Sequence, residues 1–242
     1  MNKWNNIRLF NCCVQNIYIM HNYILIFLTI ILVKCDSHKA KNDLDQDPLI
    51  NKYFTKTDKK ELEKIISFVD SIVYSKYPNS DMNKSYHEYF EYLKECTYDG
   101  GLTGIALDQE FKYFFIFNLD TLLFNKIWRK YTTSQKVRTI DTTLISPENF
   151  ISIELNHQGD YVKTIEYLGK EYSYFEDIHK IIMECGDIPP TAVGGFIYHH
   201  HEFDFNNIYY RLWASIFILT LEESTEKKVD RYLRLSSAHN TH

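Results

Sequence analysis

The chain has 242 residues, of which 45% are hydrophobic and 16% aromatic, and it contains only 8 Gly and 5 Pro. The length suits one globular domain or at most two small ones, and the content of Ile, Leu and Phe excludes an intrinsically disordered chain. A net charge of −5 without clustered Lys or Arg argues against a nucleic-acid partner and against purely electrostatic binding to an anionic membrane. Because Gly and Pro are scarce, we expect helices rather than many short strands.

The N-terminal segment, residues 1–34, has no acidic residue and ends in an apolar run. Residues 23–33 read YILIFLTIILV, a length typical of the apolar part of a signal peptide and short for a spanning helix, which needs about 20 residues. Met20 precedes the run and is an alternative start. The segment is therefore predicted to be an export signal, and the alternatives are a longer uncleaved anchor and a cytosolic protein.

The apolar run ends in Leu32-Val33-Lys34-Cys35, with a leucine three positions before a cysteine. This pattern resembles the lipobox of bacterial lipoproteins, although Lys34 replaces the small residue that the family has before the cysteine. The resemblance covers residues 20–35. It implies that Cys35 becomes the first mature residue, carries lipid and anchors the protein to a membrane of the cell envelope, with its domain outside the cytoplasm.

The rest of the chain divides into three predicted parts. Residues 35–56 are polar and are expected to form a tether, residues 57–235 a helical domain, and residues 236–242 a flexible tail. If Cys35 is lipidated, Cys96 and Cys185 remain as an even pair in the domain. An exported compartment would permit a disulfide between them, and the alternative is two buried free thiols.

Apolar residues recur at helical spacing in the first half of the predicted domain. A helix is predicted from about residue 58 to 76, with Thr57 as its N-cap and a stop before Pro78. A second helix should begin after Ser80 or Asp81. Its buried face is predicted to carry Met82, Tyr86, Tyr89, Phe90 and Leu93. Residues 111–131 are the most apolar stretch and are predicted to form one central helix, although residues 113–117 also fit a strand.

The second half of the domain is also predicted to be helical. Ser146-Pro147-Glu148 is typical of a helix start, and that helix should run to about His157. Gly169 and Gly186 are expected to end helices over 161–168 and 171–185, and residues 187–205 are predicted to form a long loop. Further helices should start at Asn206 or Asn207 and at Ser224, the last running through Leu235. The fold class is therefore mainly α, a single compact bundle-like domain of about seven or eight helices.

The sharpest chemical feature is His199-His200-His201-Glu202, within the predicted loop. Imidazole and carboxylate groups are good ligands for zinc and similar divalent metals. Adjacent residues rarely all face one ion, so His199 and His201 with Glu202 are the candidate ligands, and His157 or His179 would supply a distant one. The alternative is a solvated polar loop that binds metal adventitiously.

The chain contains no nucleophile-elbow, zinc-protease or phosphate-loop motif, so no catalytic or cofactor-binding residue is assigned. The first hypothesis is a non-enzymatic cell-envelope lipoprotein whose helical domain binds a protein partner or a small ligand. The second is an exported metal-dependent hydrolase that uses the His199–His201 loop. The third is an immunity-like protective lipoprotein.

Overall fold

The computed structural model describes residues 44–79, 81–98, 107–132, 136–145, 147–148 and 150–239. The predicted signal or anchor over residues 1–34, with Met20, lies outside the described residues. So do the lipobox cysteine Cys35, the first part of the predicted tether (35–43) and the end of the predicted tail (240–242). Among the residues that are described, no helix combines the length and the apolar content needed to cross a bilayer.

The domain is mainly α-helical, as the sequence predicted. Its helices are α1 (Pro48–Tyr53), α2 (Lys56–Lys76), α3 (Met82–Tyr98), α4 (Gln109–Phe117), α5 (Thr121–Ile127), α6 (Asp160–Leu168), α7 (Ser173–Cys185), α8 (Pro190–Tyr198), α9 (Ile208–Thr220) and α10 (Thr225–His239). Its strands are β1 (Trp128–Thr132), β2 (Lys136–Arg138), β3 (Thr143–Ile145) and β4 (Ile151–Leu155). Antiparallel pairing joins β1 to β4 and β2 to β3. A short 3-10 turn covers His200–Glu202.

Helix α9 is the central element of the core. Every residue from Arg211 to Thr220 is buried, which is the pattern of a helix covered on all sides. It packs against α2 and β4, and the Trp128 indole donates a hydrogen bond to the Thr220 hydroxyl at 2.9 Å. The cap predicted at Asn207 is confirmed, because its side chain accepts from the Tyr209 amide.

Helices α2 and α3 also form where the periodicity predicts them. The predicted α3 face, from Met82 to Leu93, is buried. The start of α2 differs by two residues, because Thr55 rather than Thr57 is the N-cap. Thr55 and Asp58 form a reciprocal capping box, which satisfies amide groups that an uncapped helix would leave unpaired.

The predicted tether was wrong beyond residue 43. Leu44, Leu49, Ile50 and Phe54 are all buried in the main core, and Asp47 caps helix α1 through the amides of Leu49 and Ile50. Averaged over 35–56 the segment is polar, but Leu49 and Ile50 of α1 are buried, as are Leu44 before the helix and Phe54 after it. The predicted tail was also too long, because α10 continues to His239.

Two of the predicted helices were wrong, and both include residues that form the β1–β4 pair. The single helix over 111–131 is broken by residues 118–120, where Asp120 caps the separate helix α5, and Trp128 begins a strand. The helix predicted from Ser146 to His157 is instead strand β4, and Ser146 itself lies outside the described residues. Ile151, Ile153 and Leu155 alternate with polar residues, and this period of two prevails because β1 is available for pairing.

The long loop predicted over 187–205 is largely helical. Helix α8 begins with Pro190 at its first turn, a position where proline's fixed backbone angle suits a helix. Phe196 and Ile197 are buried in the core, and their packing outweighs the low helix propensity of Gly194-Gly195. The preceding helix α7 ends as predicted at Gly186, which adopts a left-handed backbone with φ of 79°.

Candidate functional site

A group of charged side chains, two of them buried lysines, lies where α4, β4 and α10 meet. Helix α4 contributes Lys112 and Tyr113, and α10 contributes Lys228. Glu222 comes from the short connection between α9 and α10, and Ser152 from β4. We call these five residues the lysine–glutamate cluster.

Glu222 is the centre of the cluster. Its carboxylate accepts hydrogen bonds from the Lys112 ammonium at 3.3 Å and the Lys228 ammonium at 2.9 Å. The Tyr113 hydroxyl lies 2.7 Å from both carboxylate oxygens. Burial by itself would raise the pKa of Glu222, but the two lysines outweigh burial and lower it. One carboxylate is therefore the shared hydrogen-bond acceptor and counter-charge of two lysines.

Lys112 is fully buried. Its ammonium also donates to the Leu221 carbonyl at 2.7 Å, at the C-terminal end of α9, where the helix dipole favours a cation. Burial lowers the pKa of Lys112 to about 8, although Glu222 acts in the opposite direction. At pH 7 Lys112 is therefore mostly protonated, and its charge adds to that of Lys228.

A second ion pair extends the cluster towards the surface. Arg231 of α10 donates through Nε to Glu223 at 2.7 Å, and its guanidinium lies 5.2 Å from the centre of the Tyr113 ring. Lys112, Lys228 and Arg231 thus face the carboxylates of Glu222 and Glu223. The region carries one more positive charge than negative, in a chain whose net charge is −5.

A cavity of about 190 Å³ opens beside these charges, and we call it the cationic cavity. Its lining consists of Tyr113, Phe117, Phe150, Ile151, Lys228, Arg231, Tyr232 and Leu235. Apolar cavities of about 150 Å³ accommodate benzene, so a ring-sized body fits here. Mostly apolar walls with a few convergent polar groups are typical of small-molecule sites.

The Ser152 hydroxyl lies 2.6 Å from the Lys228 ammonium, which donates to it. A serine is activated as a nucleophile when a neighbouring base removes its proton. Burial lowers the pKa of Lys228, against the opposing effect of Glu222 at 2.9 Å. Lys228 is nevertheless the donor in its hydrogen bond with Ser152, so in this arrangement it does not accept the serine proton. The arrangement therefore favours binding of an anion over nucleophilic catalysis.

The predicted metal ligands lie in a separate place, on the histidine turn (residues 199–202) between α8 and α9. His199, His201 and Glu202 are exposed, and they offer ligand atoms that all lie within 4.8 Å of one another. The structure therefore brings together the three side chains that the sequence selected. The predicted distant ligand, His157 or His179, is not part of this group of described residues.

His200, between the exposed histidines, faces the opposite way. It is buried, and its Nδ1 lies 3.1 Å from Nδ1 of His87 while its Nε2 lies 3.2 Å from the Glu91 carboxylate. Burial is the main reason why the pKa of His200 is lowered, against the opposing effect of Glu91. His200 thus attaches the histidine turn to α3.

The disulfide considered for Cys96 and Cys185 is not formed. Both are free cysteines; Cys96 is partly buried and Cys185 is exposed at the end of α7. The alternative of two buried thiols is also incorrect for Cys185.

Comparisons with known proteins found no match among protein-family models, curated proteins or solved structures.

Proposed function

We propose that this chain is a lipid-anchored protein of the cell envelope whose helical domain binds a small organic anion with an apolar body, without catalysing a reaction on it. The observation that carries the binding proposal is the surplus positive charge beside an aromatic-lined cavity. The proposal of a lipid anchor, which would make the membrane a partner, is supported by the lipobox resemblance at Leu32 and Cys35.

The charges explain why the ligand should be an anion. A buried charge without a full complement of opposite charge is costly, and a bound carboxylate would complete the balance. Glu223 engages one edge of the Arg231 guanidinium, and because arginine has five N–H donors, others remain for a ligand. The aromatic rings of Tyr113, Phe117 and Phe150 would cover its apolar body.

The binding proposal is tested with two probes of the same shape, phenylacetate and uncharged phenylacetamide, titrated calorimetrically into the full-length chain. We expect phenylacetate to bind at least tenfold more tightly, which corresponds to about 1.4 kcal/mol. Arg231→Gln should weaken phenylacetate binding by about tenfold through the loss of a charge-assisted hydrogen bond.

The matched control is Arg234→Gln, three positions further along α10, where Arg234 pairs with Glu110. It should change the affinity less than twofold. Equal binding of the two probes, or equal effects of the two arginine variants, would contradict the proposal. Urea unfolding of each variant checks that the fold is retained.

The anchor is tested separately by growing expressing cells with radioactive palmitate. We expect label on the wild-type protein and none on Cys35→Ser, with Cys96→Ser as a control that keeps the label. An unlabelled wild-type protein would overturn the lipid anchor and leave the binding proposal to be decided by its own experiment.

A further inference from the structure

The histidine turn presents three exposed ligand groups to one point in space. His199 Nδ1 lies 3.0 Å and His201 Nε2 lies 3.9 Å from the same oxygen of Glu202. A tetrahedral zinc ion with bonds of about 2.0–2.1 Å needs its ligand atoms roughly 3.3 Å apart. Small side-chain rotations would therefore bring all three groups to bonding distance.

The backbone that carries these ligands is held in place before any ion binds. His200 points inward to His87 and Glu91 of α3. Three residues after the turn, Phe205 is fully buried, and its amide donates to the Asn83 side chain at 2.6 Å. Fixing the turn in advance reduces the entropy lost when its exposed side chains converge on an ion.

Adjacent residues rarely all face one ion, but the two candidate histidines are separated by His200. His200 is buried, whereas His199 and His201 on either side of it are exposed. Their ring centroids are 6.1 Å apart, which leaves room between them for a metal ion.

The ligand types select the class of ion. Imidazole suits zinc, copper and nickel, whereas magnesium and calcium prefer sites made entirely of oxygen atoms. Two histidines and one glutamate are also a ligand set of open zinc sites, in which water takes the fourth position. Exposure of all three side chains leaves that position accessible to water.

We infer that the histidine turn binds one divalent transition-metal ion of the zinc class through His199, His201 and Glu202, with water as the fourth ligand. This site goes beyond the proposed binding of an organic anion. It lies on the segment between α8 and α9, whereas the cationic cavity is formed by side chains from α4, β4 and α10 and from Phe150.

The test is a zinc titration of the full-length chain, purified without an affinity tag, stripped with a chelator and measured by competition with a chromophoric chelator. We expect a saturable site with one zinc per chain that involves the turn. Replacing both His199 and His201 with Asn should lower the affinity of that site at least a hundredfold. Glu202→Gln should lower it at least tenfold, since even outer-shell changes cost about 10- to 100-fold.

His157→Asn and His179→Asn are the matched controls, and they also test the distant ligand that the sequence suggested. Both should bind zinc like the wild type. X-ray absorption of the zinc-loaded wild type should show two imidazoles and otherwise oxygen ligands.

Unchanged zinc affinity in the His199→Asn, His201→Asn double variant would overturn the inference, as would loss of binding in either control. The three ligands are exposed, so the double variant should keep the wild-type unfolding midpoint in the absence of metal. Phenylacetate binding by the same variant should be unchanged, which separates a failure of the metal site from a failure of the cationic cavity.

Discussion

Two groups of charged side chains, one buried and one partly buried, differ in the balance of positive and negative charge. In the first, Asp70 of α2 and Arg211 of α9 form a salt bridge that is almost completely buried. In the second, the lysine–glutamate cluster, two lysines share the single carboxylate of Glu222. The two groups contain similar chemistry, so the difference in charge balance is informative.

The single positive and single negative charge of the Asp70–Arg211 pair balance each other. Arg211 donates from Nε and from one Nη to the two oxygens of Asp70. The Tyr86 hydroxyl of α3 donates to the same carboxylate at 2.9 Å and lies 3.2 Å from Ser215. Burial and the neighbouring Asp70 raise the pKa of Tyr86 and keep it protonated. The pair joins α2, α3 and α9 and needs no further ion.

The lysine–glutamate cluster has no such balance, and it lies beside a cavity. A core that only needs stability does not require surplus charge, because well-packed apolar residues are often at least as stable as a buried ion pair. The comparison therefore assigns a structural role to the first group and supports ligand binding by the second.

The largest effect is expected from breaking the balanced pair. Arg211→Met leaves the buried Asp70 carboxylate without its cation and should lower the free energy of unfolding by about 3–5 kcal/mol. Urea denaturation measures this loss. Adding Asp70→Leu to the same chain should restore much of it, since both charges are then gone. A loss below about 1 kcal/mol in the single variant would show that the pair is not buried as described.

A smaller, pH-dependent effect is expected at Lys112. Its pKa of about 8 in the folded protein lies below the value of about 10.4 for an unfolded lysine. Between these values the unfolded chain binds more protons, so stability rises with pH, by at most about 1.4 kcal/mol per pH unit.

Lys112→Met removes this dependence. Relative to the variant, the wild type should gain about 1–2 kcal/mol between pH 8 and 9.5 in urea unfolding. Parallel stability curves for the two proteins would mean that Lys112 titrates normally. The Tyr113 hydroxyl does not interfere, because burial raises its pKa and the residue is present in both proteins.

A further comparison uses two tyrosines: the Tyr86 hydroxyl donates to the buried Asp70 carboxylate, and the Tyr113 hydroxyl donates to the partly buried Glu222 carboxylate. Tyr86→Phe and Tyr113→Phe should each cost about 1.5–3 kcal/mol, the range for hydrogen bonds to charged groups. Tyr113→Phe should also change phenylacetate affinity, because Tyr113 lines the cavity, whereas Tyr86→Phe should not. Tyr131→Phe, at an exposed residue of β1, is the control for both. Equal changes in affinity for the first two variants would remove the distinction between the groups.

The sequence was sufficient to predict the helices whose determining features lie within the helix or at its ends. Helices α2, α3, α7 and α9 were predicted because their apolar stripes and caps are local. Strand β4 was missed because the helix-start pattern at Pro147 was weighed above the alternation of Ile151, Ile153 and Leu155, and the pairing partner β1 is distant in the chain. Helix α8 was missed because its glycines and prolines indicated a loop, whereas burial of Phe196 stabilises a helix.

The same distinction applies to the sites. The histidine turn could be proposed from sequence because its ligands are neighbours in the chain. The cationic cavity could not, because Tyr113 and Lys228 meet only in the folded state. The available signal was Lys112, a cation inside the apolar stretch 111–117, which marks a buried charge that needs a partner but does not say which.

The burial of Leu44 sets a geometric limit on where the domain can work. Leu44 is fixed in the core, and it follows Cys35 by only nine residues. Even a fully extended chain of that length reaches roughly 30 Å. A lipid on Cys35 would therefore confine Leu44, the point at which the chain enters the core, to a layer about as deep as the bilayer's own hydrocarbon region. The domain would meet ligands and metal ions as they occur near the membrane surface rather than throughout the surrounding solution.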